Sequence, residues 1–432
     1  MRNRHWYIAL ALSLSFLPAN LWGGDHLKKL VPMQLKNPTA CPPVEAPCEP
    51  SVNASDAAEG SKEGSDIQLD QGSVLAPGTQ FSGGSSMDLS GLNADRSSYT
   101  SLQTLSSIGD FFAPDGQGVV IDRQLPIGGT YIEDFTSQPV SPGAAIGRFK
   151  TSDSNSPIPR DRLFLDYSLF HNARLTPDDV SVQRFTPGFE KTFMDGLTSL
   201  ELRLPIAMTL NSSNFGGSND IDTQNSEFGN IAIAAKGILW STEGFVLTTG
   251  LVLQTPTAND IIFGNINGEE ALRIGNNQYR LLPYLATLHY NDEWFWQNYI
   301  QIDTAANGNK VYVNSTGRAT DQIGVLQEQN YLYLDTSLSR WLRRDRCRQT
   351  GIAMTFELHY NSTINDTDTI SFSDNRGNVD LGTAGFSADI LNMNFGPTFV
   401  YGATTTTIAY GTPLTADRGM DGELRILLNR LF

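Results

Sequence analysis

Long hydrophobic runs are what this sequence most lacks. Beyond residue 23 no stretch offers eighteen consecutive apolar residues, which excludes a transmembrane helix but not a wall of strands whose side chains alternate between two environments. Positive charge is scarce as well: 30 Lys and Arg stand against 46 Asp and Glu, a formal net charge of -16. Nucleic-acid binding rests on Lys and Arg neutralising phosphates, so no nucleic acid is expected as a partner. Cysteine occurs three times, at Cys41, Cys48 and Cys347. A fourth ligand and the short CxxC spacing are missing, so no metal site is expected. Cys41 and Cys48, set in a Pro-rich segment, suit a small disulfide loop that leaves Cys347 over. No phosphate-cradling loop, zinc pair or nucleotide fingerprint occurs, and no cofactor is expected.

What is present is β-like, with 39 Gly, 40% hydrophobic residues and a mean hydropathy of -0.24. A chain of 432 residues would ordinarily suggest two or more soluble domains, but closed all-β architectures run longer as single units. Residues 1–23 read as a secretory signal peptide: Arg2 and Arg4 form the positive start, Trp6 to Leu17 the apolar core, and Gly23 and Gly24 offer a cleavage point without a lipid-anchoring Cys. Residues 24–75 are polar, acidic and Pro-containing, and cannot bury enough apolar surface to offset their ordering entropy; they are expected to be a disordered tether. Residues 76–161 stay rich in Gly, Ser and Pro but gain apolar anchors, among them Ile108, Phe111 and Phe112 in the run IGDFF. Such a stretch folds only against something else, and those three residues are the expected plug of whatever follows.

From Arg162 the pattern changes to alternation. Candidate strands lie at 162–173, 179–194, 197–208, 227–240, 245–257, 279–290, 293–304, 329–342, 351–363, 386–401, 404–413 and 421–432. Each is near or above the roughly 9 to 11 residues that a tilted strand needs to cross a bilayer core. The connections alternate in length, with tight turns such as Gly402 to Ala403 opposite long links rich in Asn, Gly and Asp. Antiparallel strands put alternate connections at opposite ends, so the length gathers at one end. Faces follow from period two: Ile352, Met354, Phe356, Leu358 and Tyr360 on one side, Ala353, Thr355, Glu357, His359 and Asn361 on the other. Trp240, Trp294, Trp296 and Trp341 flank the short turns, as an aromatic girdle requires.

The last strand, GELRILLNRLF, carries Leu424, Ile426, Leu428 and Phe432 on one face. It resembles the C-terminal insertion signal of Gram-negative outer-membrane proteins, with Arg430 departing from the usual apolar residue. The whole arrangement is similar to the channel-forming outer-membrane proteins that pass small hydrophobic or aromatic compounds; its local motifs are the terminal strand and LQTPTA at Leu253 to Ala258. The resemblance implies an all-β fold: a closed antiparallel transmembrane β-barrel of about twelve strands over 162–432, with a largely disordered N-terminal extension. It also implies outer-membrane lipid and the barrel assembly machinery as partners, the latter through the C-terminal strand, and an N-terminal segment that plugs the lumen.

On that reading Glu201, Arg203, Lys236, Asp303, Asp335, Glu357 and Arg425 point inward and line the lumen. Some outer-membrane phospholipases are similar barrels with a Ser-His pair. Here His359 and Ser362 in LHYNST alternate to opposite faces and the His-x-Ser-Asn-Gly run is absent, so catalysis is not expected. The expected function is a channel or passive transporter for small solutes; the alternative is a structural or adhesive surface protein whose barrel anchors its loops.

Overall fold

The computed structural model describes residues 105–110, 118–127, 130–139, 148–173, 180–208, 226–264, 270–314, 319–365, 368–374, 377–381 and 389–432. The expected signal peptide 1–23, the tether 24–75 and the plug candidates Phe111 and Phe112 lie outside the described residues.

Twelve antiparallel strands form a closed barrel. They are β1 (Arg162–Ala173), β2 (Val180–Phe193), β3 (Thr198–Arg203, resuming at Ile206–Met208), β4 (Ala232–Thr242), β5 (Phe245–Gln254) and β6 (Arg280–Tyr290). The other six are β7 (Trp294–Ala305), β8 (Tyr331–Asp345), β9 (Thr350–Thr363), β10 (Asp389–Tyr401), β11 (Thr404–Pro413) and β12 (Gly422–Leu431). Each pairs with its neighbour in sequence, and β12 closes on β1 from Gly422 opposite His171 to Leu431 opposite Arg162. Closure leaves no open edge, so the ladder pairs its own N–H and C=O groups where hydrocarbon supplies none. The break in β3 falls at Leu204 and Pro205, where the ring has no N–H to give the ladder; Leu204 instead donates to the Pro187 carbonyl at 3.1 Å.

Alternation sets the two faces. On β9, Ala353, Thr355, Glu357, His359 and Asn361 are buried, whereas Ile352 and Phe356 are 38% and 41% exposed. On β12, Glu423, Arg425, Leu427 and Asn429 are buried and Leu424 and Leu428 exposed. The outside is therefore apolar and the inside polar, the inverse of a soluble protein and the arrangement of a barrel set in lipid. This is an outer-membrane barrel.

One end carries short turns; the other carries two small sheets built from the long connections. The first pairs Ile261–Gly264, Glu270–Ile274, Asn309–Asn314 and Ala319–Leu326 around buried Ile261, Leu272, Ile274, Val311 and Leu326. The second pairs Ile370–Asp374 and Gly377–Leu381 with two strands from the N-terminal part, Gly118–Ile127 and Thr130–Pro139. The segment 76–161 is thus not irregular throughout: it adds a hairpin to the loop between β9 and β10.

Two other expectations need correction. Trp240, Trp294 and Trp296 are exposed at the short-turn end, but Trp341 is 7% exposed and packs inward against Leu105, Phe295 and Val400. It shares parity with inward Asp335, Ser337 and Ser339, and the register shift that would change faces comes only after it, before Arg343. Cys347, in the turn after β8, is disulfide-bonded rather than left over; its partner lies outside the described residues.

Candidate functional site

Two stretches of the N-terminal segment lie inside the barrel, 105–110 and 148–161, the second leading directly into β1. They run side by side, with the Ser107 N–H donating to the Asn155 carbonyl at 2.7 Å and the Ser154 N–H to the Ile108 carbonyl at 3.2 Å. Their approach depends on Gly109, whose φ is +81° and whose Cβ, were there one, would collide with the Asp153 Cα. A small barrel fills with its own side chains; a wider one leaves room, and here a piece of chain takes it.

The wall holds this segment through charge and hydrogen bonds. Glu357 accepts the Ile108 and Gly109 N–H groups on its two oxygens, at 2.7 and 2.8 Å. Lys150 donates to Asp110, Asp335 and Asn361 at 2.6, 2.6 and 2.7 Å. Asp110 accepts from Asn361 and Asn392 as well, so three donors of the wall and segment converge on it. His359 bridges Asp335 and Glu357 through its two ring nitrogens, each at 3.0 Å.

Nearer β1 a second centre forms around Asp153, which is paired with Arg425 and lies 3.5 Å from Arg184 and 3.9 Å from Arg203. Arg203 also bonds Glu201 and the Asp153 carbonyl, and its guanidinium stacks 3.8 Å above the Phe149 ring. In a third centre, Arg162 donates to Glu190 and Glu201 at 2.7 and 2.8 Å, while Lys236 donates to Glu190, the Asn155 side chain and the Ser156 carbonyl. Toward the long loops Arg280 meets Asp303 at 2.5 Å, and Glu328 joins Arg280 to Arg148.

All seven inward candidates, Glu201, Arg203, Lys236, Asp303, Asp335, Glu357 and Arg425, are buried on the inner face. Five of them bond residues of 105–110 or 148–161: Arg203, Lys236, Asp335, Glu357 and Arg425. Glu201 reaches the segment only through Arg162 and Arg203, and Asp303 through Arg280 and Tyr333. Of the plug candidates, Ile108 is fully buried against Ala409 and Leu427. Leu424, Ile426 and Leu428 face outward, and the Phe432 ring stacks on Phe189 at 5.8 Å.

Sequence reasoning missed Arg162, Arg184 and Glu190, although each falls on the buried parity of β1 or β2, marked by Phe164 and Val182. It also missed Asp110, Lys150 and Asp153, where no period exists to reveal a face.

Asp110, Asp335 and His359 bring three ligand-type atoms within 4.8 Å of one another. Lys150 already places a cation 2.6 Å from both carboxylates, so the cluster is complete without a metal. His359 and Ser362 do not meet: the histidine is engaged by the two acids, and Ser362 donates to Asp389 at 2.7 Å.

No family model matches this chain, and no curated protein does. Among solved structures it is similar to an outer membrane channel from Pseudomonas putida F1, at 12% identity over 64% of this chain and 97% of that one, TM-score 0.40. It is similar also to the NanC porin, at 9% identity over 62% and 98%, TM-score 0.35. The toluene transporter TodX from Pseudomonas putida aligns at 9% identity over 75% and 99%, TM-score 0.33. What the chain forms on its own geometry is an outer-membrane β-barrel of twelve strands, apolar outside, charged inside, and occupied by part of its own N-terminal segment.

Proposed function

We propose that this barrel is a channel for small solutes, which diffuse passively along its polar lumen, and that residues 105–110 and 148–161 act as its plug. The observation that carries the reading is the chemistry of the inner wall. A barrel serving only as an anchor has every reason to fill itself with apolar side chains, since replacing buried ion pairs by packed hydrophobes is often neutral or stabilising. This wall instead presents Arg, Lys, Glu and Asp to a separate segment held by polar contacts. Such contacts have a ready substitute in water, and a wall relieved of its segment is a ring of fixed charges of both signs, the material of a selectivity region. Outer-membrane lipid is the proposed surrounding of the outward face, and the assembly machinery the proposed partner of β12.

Conductance in planar bilayers tests this. The full chain should conduct little, and a variant lacking residues 76–160 should give steady ohmic steps. If that variant folds, as judged by heat-modifiable migration in detergent gels, and still passes no current, the channel reading fails and the barrel is an anchor. If both conduct equally, the plug is removed from the mechanism.

A further inference from the structure

On the outer surface at the short-turn end, β6, β7 and β8 border a groove of about 460 Å³ lined by His289, Tyr290, Trp294, Trp296 and Leu338 together with the turn residues Gly244 and Asn291. Within it the His289 and Trp296 rings lie 5.6 Å apart, and Phe245 adjoins His289 at 4.7 Å. Beside it, five arginines fall within nine residues, Arg340, Arg343, Arg344, Arg346 and Arg348, in a chain of net charge -16. The channel mechanism uses neither feature.

The two meet on one face. Arg340 is opposite Trp294 in the ladder and its guanidinium stands 4.9 Å above that ring. Arg343 is opposite Ile352, which faces outward, so the register shift at Trp341 brings this second guanidinium to the lipid side as well. Three carboxylates are near. Glu293 pairs with Arg340 at 3.6 Å, Asp292 with Arg346 at 2.7 Å and Asp345 with Arg348 at 3.9 Å, all between exposed or half-exposed groups, where such pairs hold weakly. Five arginines against three carboxylates leave an excess of two positive charges. An arginine on the lipid face is costly at the bilayer midplane and nearly free at the interface, so this pair marks the level of the headgroups.

We infer that this surface holds an anionic phospholipid of the inner leaflet, its phosphate between Arg340 and Arg343 and its glycerol and upper acyl chain along the Trp294, Trp296 and Leu338 groove. The aromatic groove suits the boundary between headgroup and chain, where rings with one polar edge collect. The guanidinium fork suits a phosphate better than an ammonium would. Short turns face the periplasm in this class of barrel, which fixes the leaflet.

The test is quenching of tryptophan fluorescence by brominated lipid in bilayers containing the full chain. Brominated phosphatidylglycerol should quench more than brominated phosphatidylcholine at equal mole fraction, with a preference of roughly fivefold in association for each arginine near the surface. The preference should disappear in the Arg340→Gln/Arg343→Gln double variant and persist in Lys310→Gln, which removes an exposed cation of the long connections. Equal quenching by the two lipids in the native chain overturns the inference, as does a preference that survives the double variant. Inorganic phosphate in excess should leave the preference intact; if it abolishes it, the site binds free anion and not lipid. Both substituted arginines are exposed, so the variant should keep its heat-modifiable migration, and the result is independent of whether the lumen conducts.

Discussion

Lys150 places its ammonium 2.6 Å from a carboxylate oxygen of Asp335, joining residues 185 positions apart inside the barrel. The pair is buried, and the Lys150 ammonium is shared by Asp110 and Asp335, so its removal weakens the hold on two acids at once and leaves His359 beside them at 3.4 and 3.0 Å. Taking one partner from such a cluster costs roughly 3 to 5 kcal/mol. Lys150→Met should therefore loosen the segment more than Asp335→Asn does, since the latter leaves Asp110 to hold the lysine. Open probability in planar bilayers should rise in the order native, Asp335→Asn, Lys150→Met; the reverse order would show that the segment is not held here.

Gly109 offers a steric test of the same contact. A side chain there meets the Asp153 backbone and must also adopt a left-handed conformation, which costs a non-glycine residue about 1 to 3 kcal/mol. Gly109→Val should expose the N-terminal segment to added protease while the barrel itself stays resistant. Gly402→Ala is the control: its φ is +58° but no atom lies within 4 Å of an added Cβ, so segment protection should be unchanged.

The outward face has its own ledger. Phe356 lies midway along β9 and Ile352 near its short-turn end, both exposed on the same side. Phe356→Arg should destabilise by about 2 to 4 kcal/mol and Ile352→Arg by about 0 to 1. Folded fraction against urea in phospholipid vesicles, read by gel migration, distinguishes the two. Equal losses would mean that depth in the bilayer does not set the cost.

Asp161, just ahead of β1, joins the segment to β2. Burial raises its carboxyl, but hydrogen bonds from Lys191 and from the Thr192 N–H and hydroxyl outweigh that and hold it below its ordinary value of 3.8. A depressed folded-state value means stability that is fully present above the unfolded value and is lost as the pH falls through the folded one. Asp161→Asn should accordingly lower the urea midpoint at pH 7, and the gap to the native chain should close as the solution is acidified below pH 3.8.

Much of the wall was legible because a strand's period is local. Ile352 and Phe356 against Glu357 and His359, or Leu424 and Leu428 against Arg425, separate by counting alone, and tight turns opposite long links give the strand count and the two ends. Where counting was set aside the reading failed. Trp341 has the parity of Asp335, and its proximity to a turn did not bring it to the surface. The occupant of the lumen was legible only in part. Ile108 stood out as an apolar anchor, but Lys150 and Asp153 sit in polar sequence without a period, and nothing nearby says what they touch.

The amino-acid sequence by itself determined that the chain is all-β, that its strands have one apolar and one polar face, and hence that it closes into a barrel with lipid outside. Tertiary structure alone decided that residues 105–110 and 148–161 turn back into the barrel, that a hairpin between them joins a sheet of the long loops, and that Lys150 meets Asp335. The physical reason is range: side-chain alternation is fixed by the backbone of neighbouring residues, whereas the pairing of charges hundreds of positions apart exists only once closure has brought the walls together.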